Sequence, residues 1–299
     1  MAHKTVLMTE TLEYADIKMG DAVFEGTGGE GGLSREIVSR LGSDGTLVIT
    51  ELDRHLSSNL RKELTNSVCT VYVEQDNFRN IAAIMRSHNL EAFDVVILDL
   101  GVAAYHYEES GRGFSFQANE PLLMTLDDSP AAGITARDAV NNWKEESLRD
   151  IFFGLGGERH ASVIARAIVK ARRSSSIETT GDLVQIIETA LGGKRGSINP
   201  ATKVFQALRI AVNDEVGALR QVLRDGWDCL REGGRFVVIS FHDGEDREVK
   251  LWSKALVTSK QGVLLKKGVT APSHKELSIN KRTRSAKLRA VKKVATKKP

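Results

Sequence analysis

Four short runs of β-branched and aliphatic residues, separated by stretches with helical spacing, constrain the first hundred residues more than any other feature. AVFEG (22–26), TLVITEL (46–52), CTVYVEQ (69–75) and FDVVILDL (93–100) read as strands, and LSREIVSRL (33–41) and LSSNLRKEL (56–64) as helices. Strands this apolar leave no face for water. The alternation therefore predicts a mostly parallel sheet covered by helices on both sides.

The rhythm stops after residue 100. Residues 101–115 read as loop, and 116–200 show helical periodicity without a convincing strand, as in ESLRDIFFGLG (146–156), ASVIARAIVKARR (161–173) and TGDLVQIIETALG (180–192). The αβ pattern resumes with one long helical stretch (201–230) and the strand GRFVVISFH (234–242), and the pair 262–268 and 286–294 reads as a closing hairpin. The expected fold class is α/β, a Rossmann-like domain made of 1–107 and 201–299. A helical domain, 108–200, is inserted into it and expected to recognise the substrate.

Composition narrows the setting. No apolar run approaches the roughly 20 residues that span a bilayer, and polar residues interrupt the first fourteen positions, unlike a secretory signal. A soluble, cytoplasmic protein is expected, with no membrane partner. Cys69 and Cys229 stand alone, without the spacing of a metal site or redox motif, and the seven His show no metal-ligand pattern, so no metal is expected. Residues 277–299 hold nine Lys or Arg and no acid, which leaves 33 basic against 39 acidic side chains in residues 1–276. Such a tail is either a solvated end or a phosphate-attracting patch.

The glycine loop FEGTGGEGGLS follows the first strand and opens a helix, where glycines such as Gly29, Gly31 and Gly32 let a ligand approach the backbone and the helix amides. The same glycines also serve tight packing, so the acids decide the ligand. Glu51 ends the second strand, where a carboxylate accepts from ribose hydroxyls. Glu25 sits at the end of the first strand and would repel a pyrophosphate. That disfavours a nicotinamide dinucleotide and suits S-adenosylmethionine, which carries a ribose, a sulfonium and an ammonium but no phosphate. Asp76, Asn77 and Phe78 close the third strand, where an adenine would lie, and Asp99 ends the fourth at the ligand-binding edge of such sheets.

Longer motifs carry a family resemblance: EGTGGEGGLS (25–34), LDLGVAAYHYEESGRGFSF (98–116), GERHASVIARAIV (157–169), NPATKVFQALRIAVNDE (199–215), GGRFVVISFHDGEDREVK (233–250) and NKRTRSAKLR (280–289). From end to end the chain resembles the RsmH (MraW) family of bacterial ribosomal RNA small-subunit cytosine-N4 methyltransferases. The resemblance implies methyl transfer from S-adenosylmethionine to N4 of one cytidine in the decoding region of 16S rRNA, with the RNA or the 30S particle as partner. It places cofactor contacts on Gly31, Gly32, Leu33, Glu51, Phe78, Asp99 and His106. Glu25 and Glu51 replace the family's usual Asp, Leu33 replaces a His, AAYH (103–106) replaces SSPQ, and PLLMTLD (121–127) replaces PLDMRMD.

Chemistry supplies the remaining expectations. The cytosine amino group is a poor nucleophile, so alignment and a nearby acceptor matter most. Asp99 is expected at the cofactor or amine, and His242 with it as a catalytic residue. Glu245, Asp246 and Arg247 of the same ISFHDGEDR segment face the target base, or else brace that loop. Arg112 binds phosphate or orients its loop, and Phe114 and Phe116 stack on a displaced base or lie in the core. Lys203 and Arg209 read an RNA backbone or face solvent, and Arg284, with Lys281 and Arg282, touches RNA. Two other functions fit the same residues: an RNA methyltransferase with another target nucleotide, or a ribosome-assembly factor that binds the cofactor without turnover. The oligomeric state stays open, a homodimer included.

Overall fold

The computed structural model describes residues 5–128, 133–193, 199–279 and 281–294, and the chain divides into two compact units. The first comprises residues 1–102 and 216–299, the second residues 103–215.

The first unit begins with α1 (Met8–Ala15) and then alternates strand and helix: β1 (Ala22–Glu25), α2 (Gly32–Leu41), β2 (Thr46–Thr50), α3 (Arg54–Glu63), β3 (Thr70–Glu74), α4 (Ile81–Ser87) and β4 (Phe93–Asp99). The chain then builds the second unit from α5 (Ala104–Glu108), α6 (Ala136–Asn142), α7 (Glu145–Gly154), α8 (Ala161–Ala171), α9 (Thr180–Ala190) and α10 (Ala201–Val212). It returns through α11 (Glu215–Cys229), β5 (Leu230–Ser240), α12 (Asp243–Thr258), β6 (Gly262–Leu264), α13 (His274–Ile279) and β7 (Lys287–Lys293).

The seven strands form one sheet in the order β3-β2-β1-β4-β5-β7-β6, parallel except at β5-β7 and β7-β6. Strand alternation assigns the core. Val23, Leu47, Ile49, Val95, Ile97, Val237 and Ile239 face one way, against Ile37 and Leu41 of α2 and Leu60 of α3. Phe24, Val48, Val96, Leu98, Phe236 and Val238 face the other, against α4, α11 and α12. The strand order turns back between β1 and β4, where Glu25 is in register with Ile97, so both strands present their carboxyl ends side by side. Open α/β sheets bind ligands at that switch point. The fold is Rossmann-like.

Three details differ from the expected organisation. The single helix over 201–230 is two helices, because Asp214 adopts a left-handed backbone (φ 47°) that ends α10 and restarts the chain as α11. Helix α10 also packs within the second unit, its Val204, Phe205 and Leu208 sharing a core with Phe152, Ile164 and Ile187, so that unit extends past residue 200. The basic segment near the end is not a plain tail. Strand β7 lies inside the sheet between β5 and β6, and Lys297 and Lys298 lie outside the described residues.

Candidate active site

The loop between β1 and α2 is shaped by close packing on one side and space on the other. A side chain at Gly28 would meet Ile49 and Leu60 at 2.6 Å, and one at Gly32 would collide with Thr5. Gly29, with φ 52°, has nothing within 4 Å of where its Cβ would stand. Part of the loop is therefore glycine for packing, and Gly29 is the position left open to a ligand. Its amide donates to Glu51 Oε2 at 2.8 Å.

Glu51 is held in turn by the turn that follows it. Its Oε1 accepts from the amide of Asp53 at 2.9 Å, and Asp53 caps α3 by accepting from Leu56 N at 3.0 Å. Asp53 was not singled out from the sequence, although an Asp directly before a helical run carries the N-cap signature.

Two further acids end strands beside the loop. Glu25 is fully buried; its Oε2 accepts from the Ser34 hydroxyl at 2.7 Å, while its buried Oε1 has no hydrogen-bond partner. Burial pushes its carboxyl up to about 8, against the Ser34 hydrogen bond, with Asp99 and Glu51 adding in the same upward direction. Asp99 donates its backbone amide to Thr27 Oγ1 at 2.9 Å, yet its Oδ1 is buried without a partner. Burial, and after it the charge of Glu245, pushes this carboxyl up to about 7. Ser34 and Thr27 escaped sequence reasoning, since a hydroxyl in a glycine loop carries no periodic signal.

Buried carboxylate oxygens without donors are costly. Around Gly29 they gather with Glu51, three acids in one place, an arrangement complementary to a positively charged ligand and hostile to phosphate. Phe78, half-buried, opens the short helical turn after β3, beside Asp76, whose Oδ1 accepts from Asn77 N and Asn80 Nδ2. Leu33 buries its side chain in the core with Ile37, so only its backbone faces the loop.

A family model, the MraW methylase family, matches residues 1–294. The chain belongs to the MraW methylase family. It is 39% identical to the ribosomal RNA small subunit methyltransferase H of Acetivibrio thermocellus, over 98% of this chain and 99% of that one. The protein of the same name from a Wolbachia of Drosophila simulans is 35% identical, over 99% of this chain and all of its own length. Among solved structures, an rRNA methylase from Streptococcus thermophilus aligns over 99% of both chains at 9% identity and a TM-score of 0.46.

As an MraW methylase the chain uses S-adenosylmethionine, and the residues present fit that molecule. The unpartnered Oε1 of Glu25 and Oδ1 of Asp99 suit its cationic groups, the Glu51 carboxylate is of the acceptor type that ribose hydroxyls need, and Gly29 leaves room beside them.

The remaining expected site residues of this MraW methylase are mostly engaged inside the protein. His242 is the N-cap of α12: its Nδ1 accepts from Glu245 N at 3.3 Å, and Glu245 Oε2 accepts from the amides of Phe241 (2.8 Å) and His242 (3.3 Å). His242 Nε2 lies 3.2 Å from Glu245 Oε1, at an angle that makes no hydrogen bond. Asp246 is bound by Arg289 (2.8 and 3.2 Å) and lies 3.5 Å from the Lys287 ammonium, side-chain bonds that lower its pKa against the effect of burial. Both placements favour the bracing role over contact with a base. Arg247 and Arg284 are exposed.

In the second unit, Arg112 is buried and donates to the carbonyls of Thr125 (2.8 Å) and Leu126 (3.0 Å), which orients the loop and takes the guanidinium away from phosphate. Phe114 is buried edge-on to His106 with centroids 5.1 Å apart, and Phe116 packs edge-on to Phe205 at 5.0 Å. Phe114 is thus buried, and Phe116 packs partly buried against the core of its unit. His106 is itself buried. Arg209 forms a two-bond pair with Glu215 (2.8 and 2.9 Å) and a bond to the Tyr107 hydroxyl, whereas Lys203 is exposed, with its ammonium on the Gly157 carbonyl. The two residues do not form one open basic stripe.

Proposed function

We propose that this chain transfers the methyl group of S-adenosylmethionine to the exocyclic N4 of a cytidine in the decoding region of 16S rRNA, with small-subunit RNA or the 30S particle as substrate. The observation that carries this reading is the pair of buried, unpartnered carboxyl oxygens, Glu25 Oε1 and Asp99 Oδ1, that end neighbouring strands beside the open Gly29. Membership in the MraW methylases and the names of the relatives support the RNA substrate.

When bound there, S-adenosylmethionine supplies an electrophilic methyl carbon on a positive sulfur. Glu51 and the Gly29 amide, already bonded to each other, hold the ribose side of the site. Glu25 faces positive charge. Asp99, raised to about 7, is poised between its ionised and neutral forms at physiological pH. It accepts a hydrogen bond from the N4 amine, helps localise the lone pair, and takes the proton that N4 must lose. Displacement is in line, so positioning supplies most of the rate. His242 and Glu245 fix the start of α12 and act on the site by holding that loop in place.

The test supplies purified protein with labelled S-adenosylmethionine and unmodified small subunits, then digests the RNA for nucleoside mass spectrometry. N4-methylcytidine at one position is expected. Label in another nucleoside would replace the target, and cofactor binding without incorporation would replace catalysis by an assembly role.

A further inference from the structure

Charge in this chain is strongly segregated. Residues 1–246 hold 37 acids against 26 Lys or Arg, whereas residues 247–275 hold seven Lys or Arg and one acid, Glu248. That segment is α12, the edge strand β6 and the chain after it. Helix α12 turns one face inward through Val249, Ser253 and Leu256. At 100° per residue the opposite face carries Arg247, Lys250 and Lys254, all exposed, around Leu251. Beyond the helix, Lys260 and the pair Lys266 and Lys267 are exposed on either side of β6, which packs against α12.

None of these six cations is ion-paired among the described residues. The acids at the start of α12 are engaged elsewhere: Asp243 with Lys287, Asp246 with Arg289, and Glu248 with Arg220 at 2.8 Å. Lys287 and Arg289 of β7 are thus paired with acids, and the cations of α12 and those flanking β6 are not. A basic face kept free of counter-charges, on a chain whose first 246 residues are net acidic, is complementary to a polyanion. The buried stripe of α12 is used by the core, and on its solvent face the exposed Leu251 and Val257 stand among the cations, short of the continuous apolar face with which an interfacial helix enters a bilayer.

We propose that the solvent face of α12, with β6 and the loop after it, is a docking surface for the phosphate backbone of ribosomal RNA. This rests on the RNA-methylase reading above. None of its residues is among the acids around Gly29, so its part is affinity and register. A backbone contact carries little sequence information, so target choice is left to other residues.

The test compares the full-length protein with a quadruple variant, Lys250→Gln, Lys254→Gln, Lys266→Gln and Lys267→Gln, and with a control, Arg54→Gln plus Lys62→Gln on α3. Affinity for protein-free small-subunit RNA is measured from low to high salt. Each phosphate contact removed flattens the slope of log K against log salt by about 0.7–0.9. The quadruple variant is expected to lose about three in slope and at least about tenfold in affinity near 100 mM salt. Its KM for small subunits should rise while its S-adenosylmethionine affinity stays at the wild-type value; the control should match wild type in all three. An unchanged slope, or an equal loss in the control, overturns the proposal. So does a loss seen on whole subunits but not on bare RNA, which would indicate a protein partner, or one seen only on anionic lipid vesicles. If wild-type protein binds RNA through this face yet produces no N4-methylcytidine, the functional reading fails and the surface stands.

Discussion

The Gly29 amide donates to the Glu51 carboxylate at 2.8 Å, and this bond makes the loop between β1 and α2 and the end of β2 a single piece. Because Glu51 also takes the Asp53 amide, the carboxylate is oriented before any ligand arrives. Glu51→Ala is expected to weaken S-adenosylmethionine binding about 10–100-fold, the equivalent of a lost charge-assisted hydrogen bond of about 1.5–3 kcal/mol. Titration calorimetry reads this directly, and affinity within twofold of wild type would take Glu51 out of the site.

Glu25 and Asp99 make the site sensitive to pH. Both carboxyls are raised, to about 8 and about 7, so between the unfolded value near 4 and these values the folded chain holds more protons than the unfolded one. The stability contributed by these groups therefore falls as pH rises from about 4 to about 8. Ionised carboxylates welcome a cation, so cofactor affinity should rise over pH 6 to 8.5, with protons released on binding. Thermal unfolding with and without S-adenosylmethionine should show a larger stabilisation at pH 8.5 than at pH 6. Glu25→Gln should flatten that difference, and a constant shift across the range would contradict the assignment.

Asp99→Asn keeps the shape of the side chain and removes its ability to take a proton. Turnover on small subunits is expected to fall by at least about 100-fold, within the range for a general base. Circular dichroism should be unchanged. Near-wild-type turnover would exclude Asp99 from proton transfer.

His242 offers a test between capping and catalysis. His242→Ala should cost about 1 kcal/mol of stability through the lost N-cap, while His242→Asn, itself a good cap, should restore both stability and turnover. If the Asn variant folds normally but is inactive, the imidazole takes part in the chemistry.

Arg209 and Glu215 are both largely shielded, at 11% and 14% side-chain exposure, and share two hydrogen bonds. Arg209→Met strands the Glu215 carboxylate and is expected to destabilise the protein by about 2–4 kcal/mol, a loss of several degrees in melting temperature. A double variant, Arg209→Met with Glu215→Gln, should recover much of it. No recovery would mean that packing, and not the stranded charge, dominates.

Much of the site around Gly29 was legible in the chain because it depends on local order. An acid at the end of each of three strands, with glycines after the first, is a pattern of neighbours in sequence. Arg112, Phe116 and Arg209 were harder. A buried arginine and an exposed one look alike in sequence, and Arg112 is committed only because the carbonyls of Thr125 and Leu126 meet it, thirteen and fourteen residues on. The break at Asp214 was hidden too, since the apolar stripe runs through it and the left-handed residue is neither Gly nor Pro.

What the sequence by itself determined is the alternation of strand and helix, the ligand edge where Glu25, Glu51 and Asp99 fall, and the family. Those follow from periodicity and from motifs, each local. Which charges are spent inside the fold only tertiary structure decided. Lys293, one of nine cations in a segment without acids, donates to the carbonyls of Trp227 and Leu230 at 2.6 Å and closes the end of α11. Arg289 pairs with Asp246 across 43 positions of chain. The lysines of α12 find no such partner among the described residues. Pairing is a property of residues brought together from afar, and no local pattern records it.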